Sequence, residues 1–290
     1  DVNAEDADGE TALIWAVRFG KTDCVQLLIN ANAALEADCS PLIWAAKKGK
    51  TDCAKLLIDA KADLEAEDSA GRNALNWAAF EGHAGCVELL INAKADLNSR
   101  DGVGETPLIW TVLQGCLDCA QLLIDANADL EAKGEGGRTA LMAAAAYHSP
   151  DSVELLLDAN ADIEAKNNNG RTALMLAATA DFSLISDYDM VEQLIAAKAN
   201  IEAKDNDGRT AIMLAAGEGC TECVEVLLDA SADIQAEDVN GHTALMLAAE
   251  CEIAEDCVEF IVDAISTAAQ RRERKRRRAS DASPSQDELQ

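Results

Sequence analysis

A block of about 33 residues recurs along this chain, and the recurrence restricts the possible fold more than any other feature. Eight successive blocks carry a leucine or isoleucine at the same place, and five of the seven intervals between them are 33 residues long. These residues are Leu13, Leu42, Leu75, Leu108, Leu141, Leu174, Ile212 and Leu245. A fixed period of this length predicts a repeat protein in which each block is one structural unit.

Each repeat combines a Gly-containing turn, a short Ala-rich helix and a longer amphipathic helix. The turn and first helix read GETALIWA in repeat 1 and GRTALMLA in repeat 6, and the second helices contain CVQLLI and MVEQLI. Leu27, Leu28 and Ile29 and their equivalents are predicted to form the apolar face of the second helix. One hairpin cannot bury that face alone, so we expect neighbouring repeats to stack into a solenoid.

The period, the Gly-x-Thr-Ala/Pro-Leu turn and the second-helix pattern together resemble the ankyrin repeat family, over residues 1 to about 266. The resemblance implies an all-α solenoid of helix-turn-helix units joined by short hairpin fingers. We expect an ankyrin repeat domain over 1–269, followed at 270–290 by a basic, then polar, disordered tail. The approximate repeats are 1–37, 38–67, 68–100, 101–133, 134–166, 167–204, 205–237 and 238–269.

The sequence departs from the family pattern in three ways. The family's usual His after Thr-Pro-Leu is replaced by Asn76 in repeat 3 and by Ile or Met in the other repeats, so its hydrogen bonds should be missing or replaced by packing. Repeat 2 lacks four residues of its turn, which predicts a short finger. Repeat 6 carries five extra residues within 181–189.

Net charge restricts the class of partner. The chain has 24 Lys or Arg against 53 Asp or Glu, a formal net charge of −29. Such a chain should repel nucleic acid and anionic membranes. No apolar run approaches the ~20 residues that span a bilayer, and no signal peptide precedes the first repeat. We therefore expect an intracellular protein, in the cytoplasm, the nucleus or both, with no insertion into membranes.

The tail has the opposite charge from the repeats. Its basic cluster is a candidate nuclear-import signal, and consists of Arg271, Arg272, Arg274, Lys275, Arg276, Arg277 and Arg278. Two alternatives are a solvated extension that suits the C-terminus of the last helix and a segment that folds back on the acidic repeats. Ser280 resembles a basophilic-kinase site and Ser283 a proline-directed site, and phosphate on Ser280 would weaken these contacts.

The cysteines are predicted to be structural and reduced. Neighbouring helices stack ~10 Å apart, too far for a disulfide, so cysteines in register on the second helices should be small buried side chains. These are Cys24, Cys53, Cys86, Cys119, Cys223 and Cys257. The Cys116/Cys119 and Cys220/Cys223 pairs lie three repeats apart, too far for one four-cysteine zinc site.

No residue pattern predicts catalysis, a metal site or a cofactor. The Gly-Lys-Thr tripeptides at 20–22 and 49–51 lack the first glycine of a phosphate-binding loop, and they suit a helix end followed by a cap. His83, His148 and His242 fall in different repeats without ligand spacing. Recurrent loop carboxylates are interpreted as a solvated acidic face. We expect a protein that is not an enzyme.

In the ankyrin family, partners usually lie in the concave groove between fingers and first helices. The resemblance implies that the variable groove positions of this chain include Phe19, Phe80, Leu113 and Tyr147. Exposed aromatic side chains are usual anchors of an interface. The alternative is that they pack on adjacent repeats. Phe182 and Tyr188, in the repeat-6 insertion, form a secondary candidate loop.

Two further sets of residues recur in register. Arginines after the finger glycine would form a broken basic stripe that could pair with an acidic partner segment, or they pair with carboxylates of neighbouring fingers. They are Arg72, Arg138, Arg171 and Arg209. Tryptophans on the first helices are interpreted as a packing ladder between repeats, and are Trp15, Trp44, Trp77 and Trp110.

Together these patterns predict a monomeric, non-catalytic scaffold or adaptor that holds another protein in the concave groove. One alternative is the regulatory ankyrin region of a longer enzyme whose catalytic domain precedes residue 1. Another is a nuclear or nucleic-acid-associated factor that acts through the basic tail. The acidic repeats limit nucleic-acid binding to a weak contact of that tail.

Overall fold

The computed structural model describes residues 1–7, 9–36, 40–179, 189–251 and 255–267. Over these residues the chain forms helices, one short 3-10 turn at Glu135–Gly137 and no named strand. The helices are α1 Ala12–Arg18, α2 Thr22–Asn30, α3 Pro41–Lys47, α4 Thr51–Asp59, α5 Ala74–Phe80, α6 Ala84–Asn92, α7 Pro107–Leu113, α8 Leu117–Asp125, α9 Ala140–Ala146, α10 Pro150–Asp158, α11 Ala173–Ala177, α12 Asp189–Ala196, α13 Ala211–Gly217, α14 Thr221–Asp229, α15 Ala244–Glu250 and α16 over 255–267.

The chain divides into two compact bodies, residues 1–173 and 174–290. In the first body each odd-numbered helix from α1 to α9 packs against the next odd-numbered helix, and the even-numbered helices α2 to α10 do the same. In the second body α13 packs against α14 and α15, and α12 packs against α14. Contacts between successive repeats are the arrangement of a solenoid.

Local signals in the sequence explain where the first helices begin. The hydroxyls of Thr11, Thr106 and Thr139 accept hydrogen bonds from the backbone N–H three residues on, which is the standard N-cap arrangement. Asn73 and Asn76 form a reciprocal capping box in which each side chain accepts from the other backbone N–H, at 2.9 and 3.1 Å. Asn76 is fully buried and also donates to the carbonyl of Ser99. Repeat 3 therefore keeps a hydrogen-bond network where the other repeats pack Ile or Met.

Within each body, the core lies between the helix pair of one repeat and the helix pair of the next. Val25 is the buried residue of α2, while Leu27 is 68% exposed. The prediction that Leu27 lies on the buried face is therefore wrong for repeat 1. Cys24 is also exposed, whereas its equivalents Cys53 and Cys86 are buried. Cys86 is covered by Thr51 of the preceding repeat, and no described helix covers Cys24 from that side.

The loop carboxylates and amides connect repeats instead of forming only a solvated face. In five places a side-chain oxygen accepts a hydrogen bond from a backbone N–H 31 residues later, at 2.7–2.9 Å. The acceptors are Asn3, Glu65, Asn98, Glu131 and Glu202. Four of these bonds satisfy a loop N–H of the following repeat, and the Asn3 bond satisfies one at the other end of repeat 1. The need to satisfy these N–H groups explains why an oxygen-bearing side chain recurs at this position.

Within the described residues no helix is both long enough and apolar enough to cross a membrane.

Candidate partner-binding surface

In repeats 1, 3, 4, 6, 7 and 8 the finger is organised by one Asp or Asn side chain at the start of the turn. Asp68 Oδ1 accepts from the backbone N–H groups of Ala70 and Arg72, at 2.8 and 3.0 Å. Asp101 does the same for Val103 and Glu105. Asn167, Asp205 and Asp238 repeat the pattern in later repeats. This arrangement leaves the second carboxylate oxygen of Asp68 and Asp101 free to bond elsewhere.

In three repeats that second oxygen holds the tryptophan of the following first helix. Trp77 Nε1 donates to Asp68 at 2.7 Å, and Trp110 Nε1 donates to Asp101 at 3.0 Å. Trp15 Nε1 likewise donates to Asp6 at 2.9 Å. Repeat 5 lacks both members of the pair, since Gly134 and Ala143 stand at these two positions.

Trp44 of repeat 2 is the exception, because its repeat has the shortened turn. Within the described part of the chain no group accepts a hydrogen bond from Trp44 Nε1. The indole ring is half-buried, and the cations of Arg18 and Lys47 lie over it. Repeat 2 therefore keeps the tryptophan, but Leu35 stands nine residues before it, where repeats 1, 3 and 4 have an aspartate.

Cations lie between the tryptophans of successive repeats. The Arg18 guanidinium is 5.5 Å from the Trp15 ring centre and 4.2 Å from that of Trp44. The Lys47 ammonium is 5.7 Å from Trp44 and 3.6 Å from Trp77. The Arg72 guanidinium lies 4.6–4.8 Å from three rings, those of Trp77, Phe80 and Trp110. We call these residues the tryptophan–cation row: Trp15, Arg18, Trp44, Lys47, Arg72, Trp77, Phe80 and Trp110.

The row differs from the packing ladder expected from the sequence. The tryptophans relate to one another through cations and Phe80, and such cation–π contacts strengthen where water is partly excluded. Phe80 meets Trp77 and Trp110 edge to face, with ring centres 5.6 and 4.8 Å apart. Trp15 is 42% exposed. The row thus combines contacts between repeats with an accessible aromatic surface.

The predicted anchor residues take successive places along this side of the first body. Phe19 stacks on Trp15 and is 59% exposed. Phe80 is half-buried at the end of α5, and Leu113 is half-buried at the end of α7. Tyr147, at the end of α9, is 58% exposed, and the Arg138 guanidinium is 5.8 Å from its ring centre. The assignment of these residues to partner binding stays a prediction.

The finger arginines Arg72, Arg138 and Arg209 have carboxylate partners among the described residues. Arg72 Nε lies 3.1 Å from Asp101 Oδ2, and Arg138 lies 3.6 Å from Glu105. In the second body Arg209 pairs with Asp205 at 3.4 Å and with Asp207. Arg171 is half-buried. Pairing within the chain is therefore part of the role of Arg72, Arg138 and Arg209.

Burial and hydrogen bonds shift the pKa values of two carboxylates in the fingers. Burial raises the pKa of Glu105, and the neighbouring Arg138 partly opposes that rise. In the second body, hydrogen bonds from the backbone N–H groups of His242 and Asn240 hold the pKa of Asp238 below its usual value. These carboxylates serve the architecture of the turns.

The basic side chains around Trp44 form a local exception to the charge of the chain. Residues 40–61 contain five lysines and two aspartates, in a protein with a net charge of −29. The Lys47 ammonium has no carboxylate within 4 Å among the described residues. No role for Lys47 follows from the sequence analysis above. The signal that could have found it is a tryptophan without the aspartate that stands nine residues earlier in repeats 1, 3 and 4.

Other predicted sites lie outside the described residues. These are Phe182 and Tyr188 of the insertion, the tail cations from Arg271 to Arg278, and the serines Ser280 and Ser283. Among the described residues no group of three or more His, Cys, Asp or Glu side chains could hold a metal ion. Each described cysteine is free of disulfides.

Comparison with known proteins identifies the repeat. A family model described as ankyrin repeats (3 copies) matches residues 1–68, 32–101, 61–134, 131–185 and 182–271. A search of curated proteins returned no match. Among solved structures, the human ASB11 ankyrin repeat domain is similar, with a TM-score of 0.65 and 24% identity over 77% of this chain and 98% of that chain. These matches confirm the resemblance and the all-α solenoid fold predicted from the sequence.

Proposed function

The chain belongs to the ankyrin repeat family, and we propose that this member is a non-catalytic scaffold that binds a segment of another protein along the first body. Ankyrin repeats are generally protein–protein interaction modules. The proposed binding surface is the tryptophan–cation row together with Phe19, Leu113 and Tyr147. The protein would act by bringing two proteins together or by masking one of them.

The single observation that carries this proposal is the exposure of aromatic side chains that are held in fixed positions. Phe19, Tyr147 and Trp15 are 59%, 58% and 42% exposed, although large apolar side chains are usually buried. Their surroundings limit movement, because Trp15 is hydrogen-bonded to Asp6 and stacked on Phe19. Rigid aromatic anchors lose little conformational entropy on binding, which favours affinity.

The chemistry of the row also indicates what the segment contains. Apolar side chains would pack on Phe19, Tyr147 and the exposed faces of the tryptophans. Carboxylates would approach the cations, although Arg18, Arg72 and Arg138 already have acidic partners in the chain. The proposed ligand is therefore a segment with apolar anchors and a small number of acidic residues.

The experiment is an affinity capture from cell lysate, followed by binding measurements on each captured protein after purification. The test variant is Phe19→Ala/Tyr147→Ala, which removes two exposed rings, and a second variant is Phe80→Ala/Leu113→Ala/Tyr147→Ala. The control is Leu27→Ala/Glu88→Ala, which alters exposed positions on second helices.

We expect at least one protein to bind the wild type and the control with equal affinity and to bind Phe19→Ala/Tyr147→Ala at least tenfold more weakly. Circular dichroism must show unchanged helix content in every variant. Equal affinity of all purified partners for the wild type and both test variants would contradict the assignment of this surface.

The function that acts through the basic tail depends on residues 271–278, outside the described ranges, and stays a prediction.

A further inference from the structure

We propose that repeat 2 is a receptor site for one acidic side chain of the bound protein segment. Its carboxylate would accept a hydrogen bond from Trp44 Nε1 and form an ion pair with Lys47. It would take the place of the finger aspartate that the chain itself supplies in repeats 1, 3 and 4. This inference rests on the proposed function and specifies the chemistry of the partner.

The chain contains three examples of the contact that repeat 2 lacks. In each, one carboxylate oxygen accepts from a tryptophan Nε1 at 2.7–3.0 Å, and the pairs are Asp6–Trp15, Asp68–Trp77 and Asp101–Trp110. In the third pair the same oxygen, Oδ2 of Asp101, also accepts from Arg72 Nε at 3.1 Å. An indole N–H with a nearby cation is therefore a combination that binds a carboxylate in this fold.

Repeat 2 offers the same two donors without the carboxylate. Trp44 Nε1 lacks an acceptor among the described residues, and cations flank its ring at 4.2 Å from Arg18 and 5.7 Å from Lys47. Arg18 is already paired with Glu10. The Lys47 ammonium is the cation of the row that has no carboxylate partner in the described chain, and its flexible four-carbon stem can follow an incoming acid.

Charge around the site favours an acidic segment even though the whole protein is acidic. Residues 40–61 carry five lysines against two aspartates. At physiological ionic strength, exposed charges farther away than about 8 Å are largely screened. Of these lysines, Lys47 lies within this range of the Trp44 ring, at 5.7 Å, so an acidic side chain close to Trp44 responds mainly to Lys47. The net charge of −29 acts mainly on the rate of encounter.

A carboxylate is preferred over a phosphate because the chain's own examples are carboxylates. In each of them one aspartate oxygen fits between the finger and the indole N–H. A phosphate carries more charge than a carboxylate, so the acidic side chains of the protein would repel it more strongly. A phosphopeptide is therefore an alternative outcome of the test.

The experiment uses a library of random twelve-residue peptides displayed on phage and selected on the full chain. The selected peptide is synthesised with a fluorescent label in three forms, which carry the acidic residue, its amide (Asp→Asn or Glu→Gln), or phosphoserine at that position. Each form is titrated against the wild type, Lys47→Met and Trp44→Phe. These substitutions keep the lysine stem and the aromatic ring but remove the charge or the N–H.

A fourth protein grafts a full-length finger into repeat 2 by replacing residues 37–40 with residues 66–73, which restores the four missing residues. The graft places an aspartate nine residues before the tryptophan, as in repeat 3, so the chain can fill the site itself. Lys48→Met, which changes the neighbouring exposed lysine, is the control for loss of one positive charge.

We expect the wild type to prefer the acidic peptide over its amide by about tenfold, the size of effect for one charge-assisted hydrogen bond. Lys48→Met should keep this preference, whereas Lys47→Met, Trp44→Phe and the graft should each reduce it to twofold or less. A preference that persists in Lys47→Met and Trp44→Phe would overturn the inference, as would selected peptides without an acidic residue. Tighter binding of the phosphoserine form, with the same dependence on Lys47, would also overturn the assignment of a carboxylate.

Failure of the proposed function would look different. In that case the library would yield no peptide, or the selected peptide would bind Phe19→Ala/Tyr147→Ala as well as the wild type. A peptide whose affinity depends on Phe19 and Tyr147 but not on Lys47 would support the proposed binding surface and overturn only the inferred site for an acidic side chain.

Discussion

The ammonium nitrogen of Lys47 lies 3.6 Å from the centre of the Trp77 ring, so a lysine of one repeat is held over the indole of the next. Arg18 has the equivalent relationship to Trp44, at 4.2 Å. Contacts of this kind join neighbouring repeats through their exposed side, in addition to the core between the helices. The same side chains that join the repeats form part of the proposed binding surface.

Asp101→Ala should be among the most destabilising substitutions of a finger residue. Asp101 is 6% exposed and accepts hydrogen bonds from Arg72, Trp110, Val103 and Glu105. Its removal leaves the half-buried Arg72 guanidinium without its partner, which costs about 2–4 kcal/mol of unfolding free energy. Urea denaturation followed by circular dichroism measures the loss. Asp63→Ala, at an exposed carboxylate that accepts only from Glu65, is the control. An equal effect of the two substitutions would contradict the role assigned to Asp101.

Glu65→Ala should weaken the junction between repeats 2 and 3. One oxygen of Glu65 accepts from the backbone N–H of Asp96 and the other from the Asn73 side chain, both at 2.8 Å. Because the site is largely exposed, water replaces part of what is lost, and we expect a decrease of about 1 kcal/mol in unfolding free energy. Glu65→Gln keeps an acceptor oxygen and should be milder, and Glu67→Ala should be neutral. Amide hydrogen exchange at Asp96 is the local readout, and unchanged protection there in Glu65→Ala would refute the contact.

Gly134 and Gly136 should respond differently to alanine. A Cβ at Gly134 would overlap the Glu105 carboxylate and lie 2.8 Å from Ile109 Cδ1, whereas a Cβ at Gly136 meets no atom within 4 Å. Glu105 is buried and paired with Arg138, so it cannot move freely. We expect Gly134→Ala to cost about 1–3 kcal/mol through overpacking. Gly136→Ala should cost about 1 kcal/mol, because its φ of +66° disfavours a side chain. Thermal unfolding of both variants measures the two losses of stability. A larger loss in Gly136→Ala than in Gly134→Ala would contradict the prediction.

Stability should fall when the pH rises above about 9, partly because of Cys119. Burial raises the pKa of this thiol from 9.0 to about 11 in the folded protein. A raised pKa means that the folded state holds the proton more tightly, so the stabilisation is present below pH 9 and is lost as the pH approaches 11. Denaturant midpoints measured between pH 7.5 and 11 should decrease less steeply in Cys119→Ala than in the wild type. Parallel plots of denaturant midpoint against pH for the two proteins would show that Cys119 does not contribute to the pH dependence of stability.

The fold was largely predictable because its signals are local and repeated. The hydroxyls of Thr11 and Thr139 start helices through backbone groups three residues away. Such contacts depend on short stretches of chain that the sequence displays directly. Leu27 was assigned to the wrong environment because burial also depends on what lies on each side of a helix. Its equivalent in repeat 3, Leu89, is half-buried, while Leu27 is exposed.

The candidate surface was predictable only in part. Phe19, Phe80 and Tyr147 could be selected because aromatics are rare in this chain and stand at variable positions. The contacts of Arg72 could not be predicted from the sequence. An acidic segment of a bound protein and a carboxylate on a neighbouring finger of the same chain were equally good candidates for its ion-pair partner. The structure places its Nε 3.1 Å from Asp101, 29 residues later.

The period, the helix pairs, the turns and the acidic character follow from the sequence by itself, because each depends on residues close together in the chain or on simple counts. Only the tertiary structure decided that Trp77 and Trp110 have carboxylate acceptors while Trp44 has none in the described chain, and that Lys47 lies over the next repeat's tryptophan. The physical reason is that these contacts depend on side-chain directions and on the spacing of stacked repeats. The aspartate–tryptophan contacts depend on how a finger folds back on its own first helix, nine residues later. The Lys47–Trp77 contact forms only when residues 30 positions apart are brought together by stacking of the repeats.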